Sequence, residues 1–411
     1  MNMLFTNIKE LIQVREISID FLSGKEMNIL PTIKNAFLLV ENGLILDFGT
    51  MENCPKTKFK IIDAKGKMVL PSWCDSHTHL VYADNRESEF EDRINGLSYK
   101  EIADDGGGIL NSAKKIHAIS EDALYQKSKT RLEEIIRLGT GAVEIKSGYG
   151  LTKKSELKML RVIKKLRDNH PIEIKATFLG AHAVPIKYKD DKSGYIKMLI
   201  EETLPVIQKE NLADFIDVFC ETDYFSVSET DQILKAGFKQ GLVGKIHVNQ
   251  FTAFGGVQVG IKNNVLSVDH LEEMRDEDMQ ALKGTKTMPV SLPSCSYFLN
   301  IPYTPARKMI DLGLPIALAS DYNPGSSPSG NMNFVVASAC IKMRMTTMEA
   351  INAATINGAY AMNLHNKVGS ITKGKLANLI LTKEIDSYNF IPYSFGNSCI
   401  EKVFLNGEEI K

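Results

Sequence analysis

A chain of 411 residues is long enough for one large domain and a smaller one around a sizeable core. With 49 Lys and Arg against 50 Asp and Glu, the formal net charge is -1, which argues against a nucleic-acid or membrane-surface partner. No apolar run approaches the roughly 20 residues that cross a bilayer, and "MNMLFTNIKELIQ" lacks the basic, apolar and small-residue order of a signal peptide. The six cysteines are scattered without a Cys-x-x-Cys pair, which is expected of free thiols in a reducing cytoplasm.

The first 67 residues hold short β-like runs such as "NAFLLVENGLILDFG", broken by Gly and Asn, with no long helical period. Residues 367–411, with "ANLILT" and "CIEKVFLNGEEI", read the same way. The simplest arrangement is a small β-sandwich built from both ends of the chain, with residues 68–366 inserted in it. That insert alternates short apolar runs with amphipathic stretches. In order the runs are "MVLPSWCDS", "GAVEIKS", "EIKATFLGAH", "DFIDVFCE", "LVGKIHVN", "VLSVDH", "KTMPVSLPS" and "PIALASD". Helical patterns such as "EDALYQKSKTRLEEIIRLG" and "KKSELKMLRVIKKLRDN" lie between them. Strands alternating with helices imply parallel pairing through crossovers. Eight of them predict an α/β fold of the (β/α)8 barrel type, for which about 250 residues is typical. A doubly wound open sheet is the alternative.

The ends of these runs carry the chemistry. In "DSHTH", His77 and His79 are i and i+2, so in a strand both imidazoles leave on one side. Alone, such a pair is weak support for a metal site. But His182, His247 and His270 also close runs, so five of the eight histidines sit at predicted strand ends, with Asp321 at the last. In a parallel barrel those ends share the face that holds the active site. His77, His79, His247 and Asp321 offer three nitrogens and a carboxylate, a set that suits Zn²⁺ or Fe²⁺ with room for a water. His117, His170 and His365 fall in helical or loop contexts and read as ordinary surface histidines.

Taken together, the motifs resemble the amidohydrolase superfamily: "DSHTH" at 75–79, "KIH" at 245–247, "DH" at 269–270, "SD" at 320–321 and "GSITKGKLANLIL" at 369–381. Within it, "NRESEFEDR", "GGGI", "EIKSGYGL", "LGAH" and "SDYNPGSSP", in that order, resemble the imidazolonepropionase family of histidine degradation. The resemblance spans essentially the whole chain. It implies hydrolysis of the ring amide of 4-imidazolone-5-propanoate to N-formimidoyl-L-glutamate by a metal-activated water. It implies one zinc or iron ion per chain on His77, His79, His247 and Asp321, with His270 and Asp321 as acid–base residues. A nearby cation would push His270 towards its neutral form. Arg86, Tyr149, His182, Gln250, Asn323, Gly325 and Ser326 match pocket positions, Arg86 as the partner of the substrate's propionate. Members are cytoplasmic and commonly homodimeric.

Two departures from the pattern stand out. Trp73 occupies a run that is usually smaller, and Gln250 stands where some relatives carry Glu. A glutamine cannot accept a proton, so it can orient water or substrate but cannot act as a base. A purine or pyrimidine deaminase would use much the same ligands, but it has no propionate for Arg86. A non-catalytic scaffold would not need the intact ligand set. The fourth run ends "FCET" without the lysine that bridges paired ions in binuclear relatives, so one ion is expected.

Overall fold

The computed structural model describes residues 2–97, 101–102 and 106–411. The N-terminal segment forms strands β1 (Met3–Ile12), β2 (Thr32–Glu41), β3 (Leu44–Thr50), β4 (Lys60–Asp63) and β5 (Lys67–Pro71). Eight parallel strands follow: β6 (Trp73–Thr78), β7 (Thr140–Lys146), β8 (Glu173–Ala181), β9 (Phe215–Cys220), β10 (Val243–Val248), β11 (Ser267–His270), β12 (Met288–Ser291) and β13 (Ala317–Leu318). The C-terminal segment adds β14 (Leu379–Glu384), β15 (Ile400–Leu405) and β16 (Glu408–Glu409).

Strands β6 to β13 lie in sequence order, each hydrogen-bonded to the next. The ring is completed where Asp321 N–H donates to His77 O (3.0 Å) and His79 N–H donates to Tyr322 O (2.8 Å). This is the expected (β/α)8 barrel. Strands such as β7 and β9 are buried along their length, as expected of parallel strands between a filled interior and a helical coat. The helices begin where the sequence provides a cap. Ser120 accepts from Ala123 N–H ahead of helix Glu121–Arg137, and Thr152 accepts from Ser155 N–H ahead of helix Lys153–Asn169. Helix Val227–Lys239 opens with a full capping box between Ser226 and Glu229. Their apolar faces, for example Leu132, Ile135 and Ile136, are buried against the barrel.

The terminal strands make one mixed sheet in the order β16-β15-β14-β5-β1-β2-β3, with β4 also on β1. A register shift between Phe5 and Ile8 lets β1 pair with β4 in its first half and β5 in its second. The sheet curls until its far parts meet, with Ile45 N–H donating to Lys375 O and Ala377 N–H to Gly43 O, both at 2.8 Å. Phe5, Ile8, Leu38, Val40, Leu379 and Phe404 fill the space between.

The run "MVLPSWCDS" reads as one strand but folds as two. Ser72 N–H donates to Asn378 O in the terminal sheet (2.9 Å), and the next residue, Trp73, donates to Gly139 O at the base of β7 (2.9 Å). The approach is close. A Cβ on Gly141 would lie 1.9 Å from Ser72 Oγ, so only glycine fits there. Trp73 is accommodated by burial against the barrel coat, its Nε1–H donating to Asn333 Oδ1 at 3.2 Å. Trp73→Ala should lower stability by about 3–5 kcal/mol, the range for emptying a buried aromatic site. Thermal unfolding of the two proteins measures this, and an unchanged melting temperature would contradict the packing described.

Candidate active site

Three imidazoles meet at the C-terminal mouth of the barrel. His77 Nδ1–H donates to Asp269 Oδ2 (2.6 Å), which turns Nε2 towards the barrel axis. There it lies 3.6 Å from Asp321 Oδ1 and has no hydrogen-bond partner. His79 Nε2 is also 3.6 Å from Asp321 Oδ1 and 3.2 Å from His247 Nε2. His247 Nδ1 lies 3.0 Å from Asp217 Oδ2, and its backbone N–H donates to Asp217 Oδ1 (3.1 Å). Donor atoms of His77, His79 and His247 all fall within 4.8 Å of one another, as do those of His77, His270 and Asp321. A buried imidazole nitrogen without a partner, aimed at other donors, fits a divalent cation. Burial pushes His77 and His79 well below the usual imidazole range. It pushes His247 down to about 4 against the pull of Asp217. All three are therefore neutral at pH 7, the state a cation requires of them.

Below this cluster lies a layer of charge with no exposed member. Lys146 Nζ reaches Glu144 Oε1 (2.7 Å) and Asp217 Oδ2 (2.8 Å), and lies 3.8 Å from Asp269 Oδ2. Lys245 Nζ reaches Glu144 Oε2 (2.6 Å) and lies 3.7 Å from Asp269 Oδ2. Burial works against the Lys146 charge, but Asp217 and Glu144, then Asp269, hold its pKa above the ordinary value. Asp217 and Asp269 are thus clamped from one side and orient imidazoles on the other. None of these five residues was expected from the sequence to orient a ligand. The available signal was charged residues spaced i and i+2 inside buried runs, "EIK" and "KIH".

His270 ends β11 with φ 89°, and Asp321 follows β13 with φ 55°, left-handed conformations that non-glycine residues rarely adopt. Such strain gathers at functional sites and survives where surrounding structure over-determines it. His270 Nδ1 lies 3.4 Å from Glu272 Oε1. Burial opposes a charge on His270, but Glu272 first, then Asp321 and Asp269, lift its pKa above the ordinary value. The expected drift of His270 to the neutral form rests on a neighbouring cation, and the protein's own carboxylates pull the other way. Glu272, too, was not expected from the sequence. Burial pushes Asp321 up to about 6, against the charge of His270.

A pocket opens above the imidazoles, lined by His79, Arg86, Tyr149, His182, His247, Gln250, His270, Asp321, Asn323 and Ser326. Every candidate named from the sequence is on this wall except His77, which lies deeper, and Gly325, which is behind Arg86. Ile109 and Phe219 also line it and were not anticipated. His182 stacks on His79 with ring centroids 5.2 Å apart, and its Nδ1–H donates to Gly148 O (3.0 Å). Asn323 Oδ1 accepts from the N–H groups of Gly325 and Ser326, both at 2.8 Å, and so shapes the loop after β13. Gln250 Nε2–H points to Cys295 Sγ at 3.5 Å. Arg86 is paired and buried at once. Its Nε–H donates to Glu89 Oε2 (2.8 Å), while a Cβ on Gly325 would lie 2.1 Å from its other guanidinium edge. Glu89 is fixed in turn by Gly108 N–H (3.1 Å) and Asn111 Nδ2–H (2.9 Å).

A parallel barrel carrying a His-x-His pair, two further histidines and an aspartate on its C-terminal rim defines a hydrolase of the amidohydrolase type. The sequence profile of the Amidohydrolase family matches residues 68–410, and the chain belongs to that family. Within it, the chain is 66% identical over 408 residues to the imidazolonepropionase of Flavobacterium johnsoniae, covering 99% of each. It is 64% identical over 411 residues to that of Christiangramia forsetii, covering 100% of each. Among solved structures, E. coli guanine deaminase superposes with a TM-score of 0.77 at 15% identity, covering 99% of each chain, a likeness of fold alone.

Since Asp269 orients His77, Asp269→Asn should weaken zinc binding by about ten- to hundredfold, the usual cost of losing such a support. Competition with a chelator of known affinity reads this out. Equal affinity in the two proteins would mean that the Nδ1 contact does not orient the ring.

Proposed function

We propose that the chain hydrolyses the ring amide of 4-imidazolone-5-propanoate to N-formimidoyl-L-glutamate, with one zinc or iron ion per chain held by His77, His79, His247 and Asp321. The observation that carries the reading is the pairing of that donor cluster with a buried, oriented arginine across the same pocket. Such an ion, when bound, lowers the pKa of a water and polarises a carbonyl. The rest of the chemistry belongs to the chain's own side chains.

Arg86 takes the propionate carboxylate. Glu89 holds the Nε edge of the guanidinium, which sets the plane in which the substrate's oxygens meet the fork. That anchor leaves the five-membered ring between Tyr149, His182 and Phe219 and puts its carbonyl at the barrel mouth. Asp321, pushed up to about 6 by burial, takes a proton from the attacking water. The water oxygen adds to the carbonyl carbon, the C–N bond breaks, and the ring nitrogen leaves with a proton returned by Asp321. His270, backed by Glu272, donates a hydrogen bond to the oxygen that gathers charge. Gln250 orients and transfers no proton. A nucleobase, the substrate of a deaminase, offers no carboxylate for Arg86 to bind.

His270→Ala should cost on the order of 10²–10⁴ in turnover, the range for a positioned acid–base or oxyanion group. Elemental analysis of the variant should still return about one metal per chain. Loss of the metal together with the activity would make His270 a ligand.

Arg86→Met should reduce kcat/KM by about ten- to hundredfold, as expected for a lost hydrogen bond to a charged group worth roughly 1.5–3 kcal/mol. The loss should nearly vanish for an imidazolone lacking the propionate. Steady-state kinetics of both proteins on both substrates test the assignment, and equal losses would mean that Arg86 supports its loop and does not read the carboxylate.

A further inference from the structure

Beside the three imidazoles lies a second group of donors that the proposed reaction does not use as ligands. One donor atom each from His270, Glu272 and Cys295 lies within 4.8 Å of the other two, and all three residues are buried. Glu272 Oε1 accepts from Ser296 Oγ and lies near His270 Nδ1, both at 3.4 Å. Glu272 Oε2 is buried with no hydrogen-bond partner. A buried carboxylate oxygen without a donor is costly and marks a place where something can be added. Cys295 is the only cysteine that joins such a donor group among the described residues. Gln250 Nε2, 3.5 Å away, stands between its sulfur and the pocket.

We propose that His270, Glu272 and Cys295 form a second, weaker site for a soft divalent cation such as zinc or cadmium, and that filling it switches the enzyme off. Donor spacings of this order suit an ion about 2.0–2.3 Å from each of an imidazole nitrogen, a carboxylate oxygen and a thiolate. On binding, the Cys295 S–H bond ionises, sulfur bonds to the cation and the proton passes to solvent through the pocket. No electron is transferred. The thiolate makes the site selective for soft ions over magnesium or calcium. Occupation draws the His270 ring towards Glu272 and Cys295 and away from the reacting carbonyl. The binding is independent of the function proposed above, whereas the inhibition rests on the role given there to His270.

The test starts from protein carrying one equivalent of zinc and adds cadmium. The wild type should bind a second equivalent, with an ultraviolet thiolate-to-metal charge-transfer band growing as it binds. Turnover should fall by about hundredfold, the scale of losing a positioned acid–base group. Cys295→Ser should show no band and bind the second ion at least about tenfold more weakly. With excess cadmium its turnover should stay within a fewfold of its own rate at one equivalent. Glu272→Gln, which keeps the thiol, should also bind the second ion more weakly and so guards against a folding defect in the first variant. A wild type that takes no second equivalent, or a Cys295→Ser protein that keeps both band and binding, overturns the site. Full second-site binding with undiminished turnover overturns the inhibition and the assigned role of His270 while leaving the donor set intact.

Discussion

The site depends on a pair of buried carboxylates, each shared between a lysine below and a histidine above. Asp217 binds Lys146 and orients His247, and Asp269 orients His77 within 4 Å of both Lys146 and Lys245. With Glu144 joining the two lysines, three carboxylates and two ammonium groups occupy a layer of the barrel that most barrels fill with apolar branched side chains. Removing one partner from such a network leaves an uncompensated buried charge, a loss of about 3–5 kcal/mol. The layer is therefore expensive to disturb, and it fixes the imidazole orientations before any ligand arrives.

The backbone at the strand ends carries the same constraint upward. Asn249, His270, Leu271 and Asp321 all have positive φ between 55° and 89°. Hydrogen bonds hold them there: Leu271 N–H to Val248 O (3.2 Å), Glu273 N–H to Asn249 O (2.8 Å) and Asp321 N–H to His77 O (3.0 Å). The last bond also closes the barrel, so the seam of the fold and the placement of the Asp321 carboxylate are one feature. Arg86 belongs to a different device. It sits on the loop after β6, and Glu89 with Gly108 and Asn111 builds the bracket that aims it. The imidazole cluster and Arg86 thus rest on separate supports that meet only in the pocket.

Much of this was legible in the sequence because it is local. Alternating apolar runs and helical periods give a parallel barrel, and His77, His79, His182, His247, His270 and Asp321 stand where those runs stop. The unread parts depend on pairing across long sequence distances. Nothing local divides "MVLPSWCDS"; the division comes from Asn378 pairing with Ser72 while Gly139 pairs with Trp73. Glu272 and Cys295 look like ordinary loop and helix residues until β11 and the helix after β12 bring them beside His270. Lys146 reads as a strand-end residue, and only closure of the barrel turns it inward to Asp217, 71 residues on. Arg86 pairs with Glu89, three residues on, and that short-range contact fixes it in the pocket.

In the proposed reaction, water attacks the ring carbonyl and the bond from that carbon to nitrogen breaks. Turnover of 4-imidazolone-5-propanoate in ¹⁸O-labelled water, followed by mass spectrometry of the product, tests it directly. The product should be N-formimidoyl-L-glutamate with one ¹⁸O in the carboxyl group formed from the ring carbonyl, and no ammonia should be released. Release of ammonia, label on any other carbon, or an intact ring would contradict it.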